Sequence, residues 1–384
     1  MAAPVDAPKG LRMSWASKCI IIIGLFVSCS NALAGDPKTR YEKDGFIIDA
    51  ASNGGNCVGC EWIVVDGKIP ADAGEQLAAW VKRAGYENIS LTVLLNSGGG
   101  NLVGGIKLGR AIRNLGLKTE IGRTVPDLDV GGSAETQAPG GCYSACAYAF
   151  LGGVERVVQA GEYGVHQFYS GAFFDAPAAK SFSAIDMSAQ QVLTGALLAY
   201  VVEMGVDPRL VVEANKALPS EIFKPVDGQL KDWKVRYDPK AYGKWQTEAY
   251  KDGIVIFSRT QDERSQTTLF CTRGGAELLI SHKGLGREYT DNVAAAYATM
   301  QSFDLFGRTI PRAATRLSKT PDTLTLRVPV SKAELDAMQA YKLKAGGFGP
   351  GDDEPSANRQ VFLEDLPVDG LERHVRLLRG NCGS

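Results

Sequence analysis

The chain has 384 residues, 45% of them hydrophobic and 22% charged, which describes a globular protein rather than a disordered one. Its length suits two ordinary domains with sizeable cores. With 42 basic residues against 43 acidic, the net charge is −1, so no long-range field draws in nucleic acid or an anionic membrane surface, and nucleic-acid binding is set aside.

At the N-terminus Lys9, Arg12 and Lys18 precede the apolar run CIIIIGLFVSC at 19–29, and NALAGD follows. A basic stretch, a short apolar run and a small-x-small site ending at Ala34 predict a secretory signal peptide over 1–34, with Met13 as an alternative start. The run is shorter than the roughly 20 residues that span a bilayer. A second reading cleaves before Cys29 and anchors the chain there through lipid, because FVSC loosely resembles a lipobox. Cleavage after Ala34 leaves Cys57, Cys60, Cys142, Cys146, Cys271 and Cys382. An even cysteine count in an oxidising compartment favours disulfides over metal. A zinc site of Cys57, Cys60, Cys142 and Cys146 is the alternative.

Residues 35–60 read as an irregular leader. EWIVVDGKI (61–69) predicts a strand, DAGEQLAAWVKRAG (72–85) a helix closed by glycine, and ISLTVLLNSGGG (89–100) a buried strand running into a glycine turn. GIKLGRAIRNLG (105–116) predicts a second amphipathic helix and KTEIG (118–122) another strand. This alternation predicts an α/β domain over 61–238 with parallel strands and right-handed crossovers. Residues 124–141 carry no periodicity and read as a long Gly/Pro/Asp loop. CYSACAYAFLGG (142–153) reads as a helix, and further helices are expected at about 186–204 and 207–217. From about 240 the runs GIVIFSRT, TTLFCTRG, AELLISHKG and TLTLRVPV alternate and are separated by turn residues. They predict a β-rich C-terminal domain over 239–384 with one or two helices.

A serine hydroxyl is a weak nucleophile until a base takes its proton, and a third group orients the base. Of three histidines, only His166 lies in the first domain, so it is the one histidine of that domain able to activate Ser144. Ser144 follows a glycine-rich turn and opens a helix, where first-turn N–H groups are available to an oxyanion. NSGGG (96–100) supplies further amides but fails both phosphate motifs. Gly105 and Ile106 stand where Walker A needs Lys and Ser/Thr, and Val103 stands where the dinucleotide pattern needs Gly.

LLNSGGG, CYSACAYAFLGG and GVHQFYS, in that order and spacing, resemble the core motifs of the Clp protease proteolytic subunit and of exported, ATP-independent Clp-like periplasmic proteins. The resemblance covers roughly residues 60–236. It implies a Clp/crotonase-like fold, a repeated ββα spiral core, and an exported, periplasmic serine peptidase that needs no cofactor. By position, Ser144 matches the nucleophile and His166 the general base, while Gly99 and Ala145 match the oxyanion donors. The acid falls on Glu221, two residues before Phe223, with Asp227 and Asp207 as rivals. Gly98 replaces the family's proline, Glu replaces its Asp, and the loop at 124–140 is longer. The implied partner is a peptide or protein substrate. The alternatives are a catalytically inactive envelope-binding protein on the same fold, and acyl-CoA chemistry, which export and the lack of a basic cluster disfavour. Relatives form rings or trimers, which implies a homo-oligomer, and the C-terminal domain is open to an envelope partner.

Each candidate also has a plainer reading. Ser144 among small residues permits close helix packing, His166 fits a structural histidine beside Phe168 and Tyr169, and Glu221 fits a solvated charge. Cys142 and Cys146, four apart, share a helical face and suit a disulfide or burial better than catalysis. Cys271 and Cys382 suit a disulfide tying down the C-terminus.

Overall fold

The computed structural model describes residues 40–55, 59–128, 134–168, 184–251, 253–272, 275–305, 308–339, 349–350, 370–380 and 382. The expected signal peptide, Cys29 and Cys57 lie outside them. The chain divides into two units, Met1–Tyr237 and Asp238–Ser384.

The first unit opens with a hairpin, β1 (Tyr41–Lys43) and β2 (Phe46–Ser52). This corrects the irregular leader over its described part. Asp44 and Gly45 both take positive φ, 51° and 77°, the backbone that an Asp-Gly hairpin turn requires. Strand β2 buries Phe46 and Ile48 against the core and pairs antiparallel with β3 (Glu61–Asp66). Helix α1 (Ala73–Ala84) buries Ala73, Leu77, Trp80 and Val81, one stripe at helical spacing, and stops at Gly85 with φ 74°.

Strand β4 (Thr92–Asn96), helix α2 (Leu102–Asn114) and strand β5 (Lys118–Ile121) complete the expected alternation. A ribbon of β6 (Arg123–Pro126) and β7 (Glu135–Ala138) replaces the expected structureless loop. The Trp62 Nε1–H donates to Thr124 Oγ1 at 2.9 Å, so the ribbon is tied to the sheet by a contact that sequence periodicity does not register. Strand β8 (Cys142–Tyr143) leads into helix α3 (Ala145–Phe150), where one continuous helix was expected. Strands β9 (Arg156–Val157) and β10 (Tyr163–Gly164) follow, then α4 (Ala184–Glu203), α5 (Arg209–Ala214) and α6 (Asp227–Asp232).

The main sheet runs β1-β2-β3-β4-β5-β9, with β3, β4, β5 and β9 parallel. This is a mixed α/β unit, as expected, with an antiparallel hairpin added at one edge. Helix α3 is buried on every side, which is why it lacks a polar face. The carbonyls just past its end receive two guanidinium groups. Arg113 donates to Leu151, Gly152 and Gly153, and buried Arg156 donates to Leu151, Gly153, Lys234 and Val235. Burial and the neighbouring Arg113 lower the Arg156 pKa to about 10.

The second unit is built on a six-stranded antiparallel sheet. Its strands β11 (Gln246–Tyr250), β12 (Gly253–Arg259), β13 (Ser265–Thr272) and β14 (Gly275–Lys283) are ordered β11-β12-β13-β14-β16-β15 with β15 (Arg316–Lys319) and β16 (Thr323–Val330). Ile256, Leu269, Leu278, Ile280, Leu326 and Val328 form the core face, alternating along their strands as a half-buried sheet requires. A helix at Leu371–Arg379 adds Val375 and Leu378, and a Cys271–Cys382 disulfide fastens the segment behind it to β13. No helix among the described residues is long and apolar enough to cross a membrane.

Candidate active site

Ser144 stands between β8 and α3 with φ 59° and ψ −124°. A positive φ in a residue with a Cβ costs on the order of 1–3 kcal/mol and persists only where its surroundings impose it. Serine at a helix start usually caps the first turn, yet this side chain makes no capping hydrogen bond. Ser144 thus leaves its own helix uncapped by its hydroxyl, on a sharp strand-to-helix turn of the kind that presents nucleophilic serines.

The glycine turn meets this serine directly. Strand β4 runs on into Ser97, which pairs in parallel with Cys142. Ser97 N–H donates to Gly141 O at 2.8 Å, and Tyr143 N–H donates to Ser97 O at 3.0 Å. Asn96 adds its amide: Oδ1 accepts from Gly141 N–H at 3.2 Å while Nδ2–H donates to Asp66 at 2.9 Å. Gly99, with φ 116°, lies so close that a Cβ there would sit 2.7 Å from Ser144 Cβ and 3.1 Å from its Oγ. Only glycine fits. Gly105 of α2 is similarly required, since a Cβ there would come within 2.3 Å of Ala145 O.

His166 reaches the same place by register. Strands β8 and β10 pair in parallel with Cys142 opposite Tyr163 and Tyr143 opposite Gly164, and Ser144 N–H donates to Gly164 O at 3.0 Å. Val165 and His166 therefore leave the ladder at the end where Ser144 does. Both neighbours of His166 are anchored on the other side. Val165 exchanges two backbone hydrogen bonds with Phe223, and Gln167 N–H donates to Ala217 O at 3.0 Å. The ring is half-buried, and its Nδ1 lies 2.6 Å from Gln167 O. A carbonyl only accepts, so this contact places a proton on Nδ1, and in the neutral ring the lone pair is then on Nε2, the state a general base requires.

Ser144, Gly99 and Ala145 are brought together, and His166 is carried to the adjacent strand end. Glu221 sits on the segment paired with Val165, exposed, with its carboxylate accepting the Leu218 N–H at 3.2 Å. Asp207 is held by Arg209 through two side-chain hydrogen bonds, which lower its pKa, and Asp227 pairs with Arg236 at 2.7 Å. The orienting position on Nδ1 is filled by the Gln167 carbonyl. Backbone acceptors leave no signature in a side-chain pattern, so sequence reasoning had no means of finding this one. It also missed Ser97, which is buried. Ser97 Oγ accepts from the Gly99 N–H at 3.0 Å, so that amide has an internal partner in this structure.

Cys142 and Cys146 form a disulfide across the turn, and Cys60 is disulfide-bonded. The bridge between Cys142 and Cys146 removes both from the zinc alternative. No group of three or more metal-binding side chains occurs among the described residues.

No protein-family model and no curated protein matches this chain. Among solved structures it is similar to a ClpP1 mutant from Listeria monocytogenes, at 13% identity and a TM-score of 0.28, over 45% of this chain and 86% of that one. A likeness of that size carries no argument. The chemistry rests on the turn at Ser144 and on what packs around it.

Proposed function

We propose that the chain is an exported, periplasmic serine peptidase with Clp/crotonase-like architecture, acting by Ser-His acyl transfer without ATP or a cofactor. The observation that carries this reading is the positive-φ turn that holds Ser144 against Gly99 beside the strand end bearing His166. Ser144 Oγ attacks a peptide carbonyl and its proton passes to His166 Nε2. The tetrahedral oxyanion lies between the N–H groups of Ala145, which opens α3, and Gly99, whose N–H turns to it from Ser97 Oγ. The imidazolium returns its proton to the leaving amine, and water, deprotonated by the same ring, hydrolyses the acyl-enzyme. The Gln167 carbonyl fixes the tautomer, and Glu221 on the neighbouring segment remains the proposed acid.

The disulfides are compatible with export. Exposed Ile185, Met187, Val192 and Val202 on α4 support a homo-oligomer. The second unit is proposed as a module for an envelope partner. The occupied Gly99 amide favours one other reading, a non-catalytic binding protein on the same fold.

A fluorophosphonate probe separates the two. The peptidase reading expects covalent labelling at Ser144, lost in Ser144→Ala together with peptide or ester hydrolysis, by at least about 10³-fold. A folded protein that resists the probe and hydrolyses nothing is the binding module.

A further inference from the structure

We infer that the Cys142–Cys146 disulfide is the positioning element of the Ser144 hydroxyl, so that reactivity at Ser144 belongs to the oxidised protein. This rests on the reading of Ser144 as a nucleophile.

The bridge joins the last strand residues before Ser144 to the first helical turn after it, with both cysteines 0% exposed. On the strand side the backbone is already fixed. Cys142 N–H donates to Glu162 O, Tyr143 N–H to Ser97 O, and Ser144 N–H to Gly164 O, at 2.8–3.0 Å. Past Ser144 the chain enters a helix of six residues, too short to hold its own first turn. The disulfide is the covalent link that carries the strand's fixed position across the positive-φ residue to that turn. Its span also argues for a local role. A cross-link four residues apart takes roughly two fifths as much entropy from the unfolded chain as one spanning the 111 residues between Cys271 and Cys382. Two buried thiols in place of the bond would still fill the space as small apolar side chains, but the positive φ would then be held by packing and hydrogen bonds alone, with no covalent restraint against relaxing to negative φ. With that relaxation Ser144 Oγ would leave Gly99.

Reduction by dithiothreitol balances simply: the reagent closes to its cyclic disulfide while the Cys142–Cys146 bond takes up two electrons and two protons. Full-length oxidised protein, reduced protein, Cys142→Ala/Cys146→Ala and Cys271→Ala/Cys382→Ala are compared for the rate of fluorophosphonate labelling at Ser144. Alkylation mass spectrometry checks that the buried bond has opened, and hydrogen exchange follows residues 141–151. The expected result is a fall in labelling of at least tenfold in the reduced protein and in the 142/146 variant. Exchange would rise in 141–151 while the rest of the unit stays protected, and the 271/382 variant would label at the parental rate. Equal labelling with and without the Cys142–Cys146 bond overturns the inference, as does a loss of protection throughout the unit. Absence of labelling in every sample overturns the nucleophile reading instead, and the exchange of 141–151 then still decides whether the bond holds the turn.

Discussion

Gly99 and Ser144 share a space that admits one Cβ. A methyl at Gly99 would collide with Ser144 Cβ at 2.7 Å and would sit at φ 116°, so Gly99→Ala meets both a clash and a strained backbone. The expected outcome is a loss of about 1–3 kcal/mol in a denaturant melt and loss of probe labelling at Ser144. An unchanged melt with labelling intact would show that the two residues are not in contact. Glu120 on β5 gives a pH-dependent case. Burial, and then the nearby Glu162 and Glu155, raise its pKa above the ordinary 4.5. Because the folded value is the higher one, the stability it contributes is full below 4.5 and is lost as pH rises through the folded value. Glu120→Gln, neutral at every pH, is therefore expected to raise the melting temperature at pH 7 and to match the parent in acid. A lower melting temperature at neutral pH would contradict this.

At the scale of elements, α3 is the piece on which the site depends. It is buried all round and short, and the carbonyls just past its end, at Leu151, Gly152 and Gly153, belong to buried residues and cannot turn to water. Arg113 and Arg156 supply the donors, and Arg156 also reaches Lys234 and Val235. Arg156→Met keeps much of the volume but leaves those carbonyls buried with fewer donors. The Lys234 and Val235 carbonyls lose their Arg156 donors, so a cost of about 1–3 kcal/mol for each buried acceptor left unsatisfied is expected, measured by chemical denaturation. A loss below 1 kcal/mol would mean that water reaches the carbonyls. The strand-to-helix turn also shows why sequence reading misplaced this element. CYSACAYAFLGG has the small, apolar composition of a buried helix throughout. The break at Ser144 comes from the parallel pairing of Cys142 and Tyr143 with Tyr163 and Gly164, twenty-one residues further along, and local propensity does not contain it.

For the whole molecule, the two units are expected to be separable. The hydrogen bonds described around Ser144 and His166, and the Cys142–Cys146 bridge, come from residues before 238. A chain ending at Tyr237 is therefore expected to fold and to label at Ser144 at the rate of the full chain. Loss of labelling in a folded truncation would show that the second unit completes the site.

The sequence by itself determined the α/β alternation over β3, α1, β4, α2 and β5, since strands with buried faces and amphipathic helices announce themselves by their period. It also determined the β-rich second unit, and it singled out Ser144, His166 and the glycine turn as the residues to examine. Only the tertiary structure decided what those residues face. The β6–β7 ribbon depends on its tie to Trp62, sixty-two residues from Thr124 along the chain. The proton on His166 Nδ1 depends on the direction of the Gln167 carbonyl, and the Gly99 amide is bound by a buried serine that no pattern singled out. The physical reason is the same in each case: a period records which face of an element is buried, whereas a hydrogen bond to a distant backbone atom is fixed only when the strands have found their register.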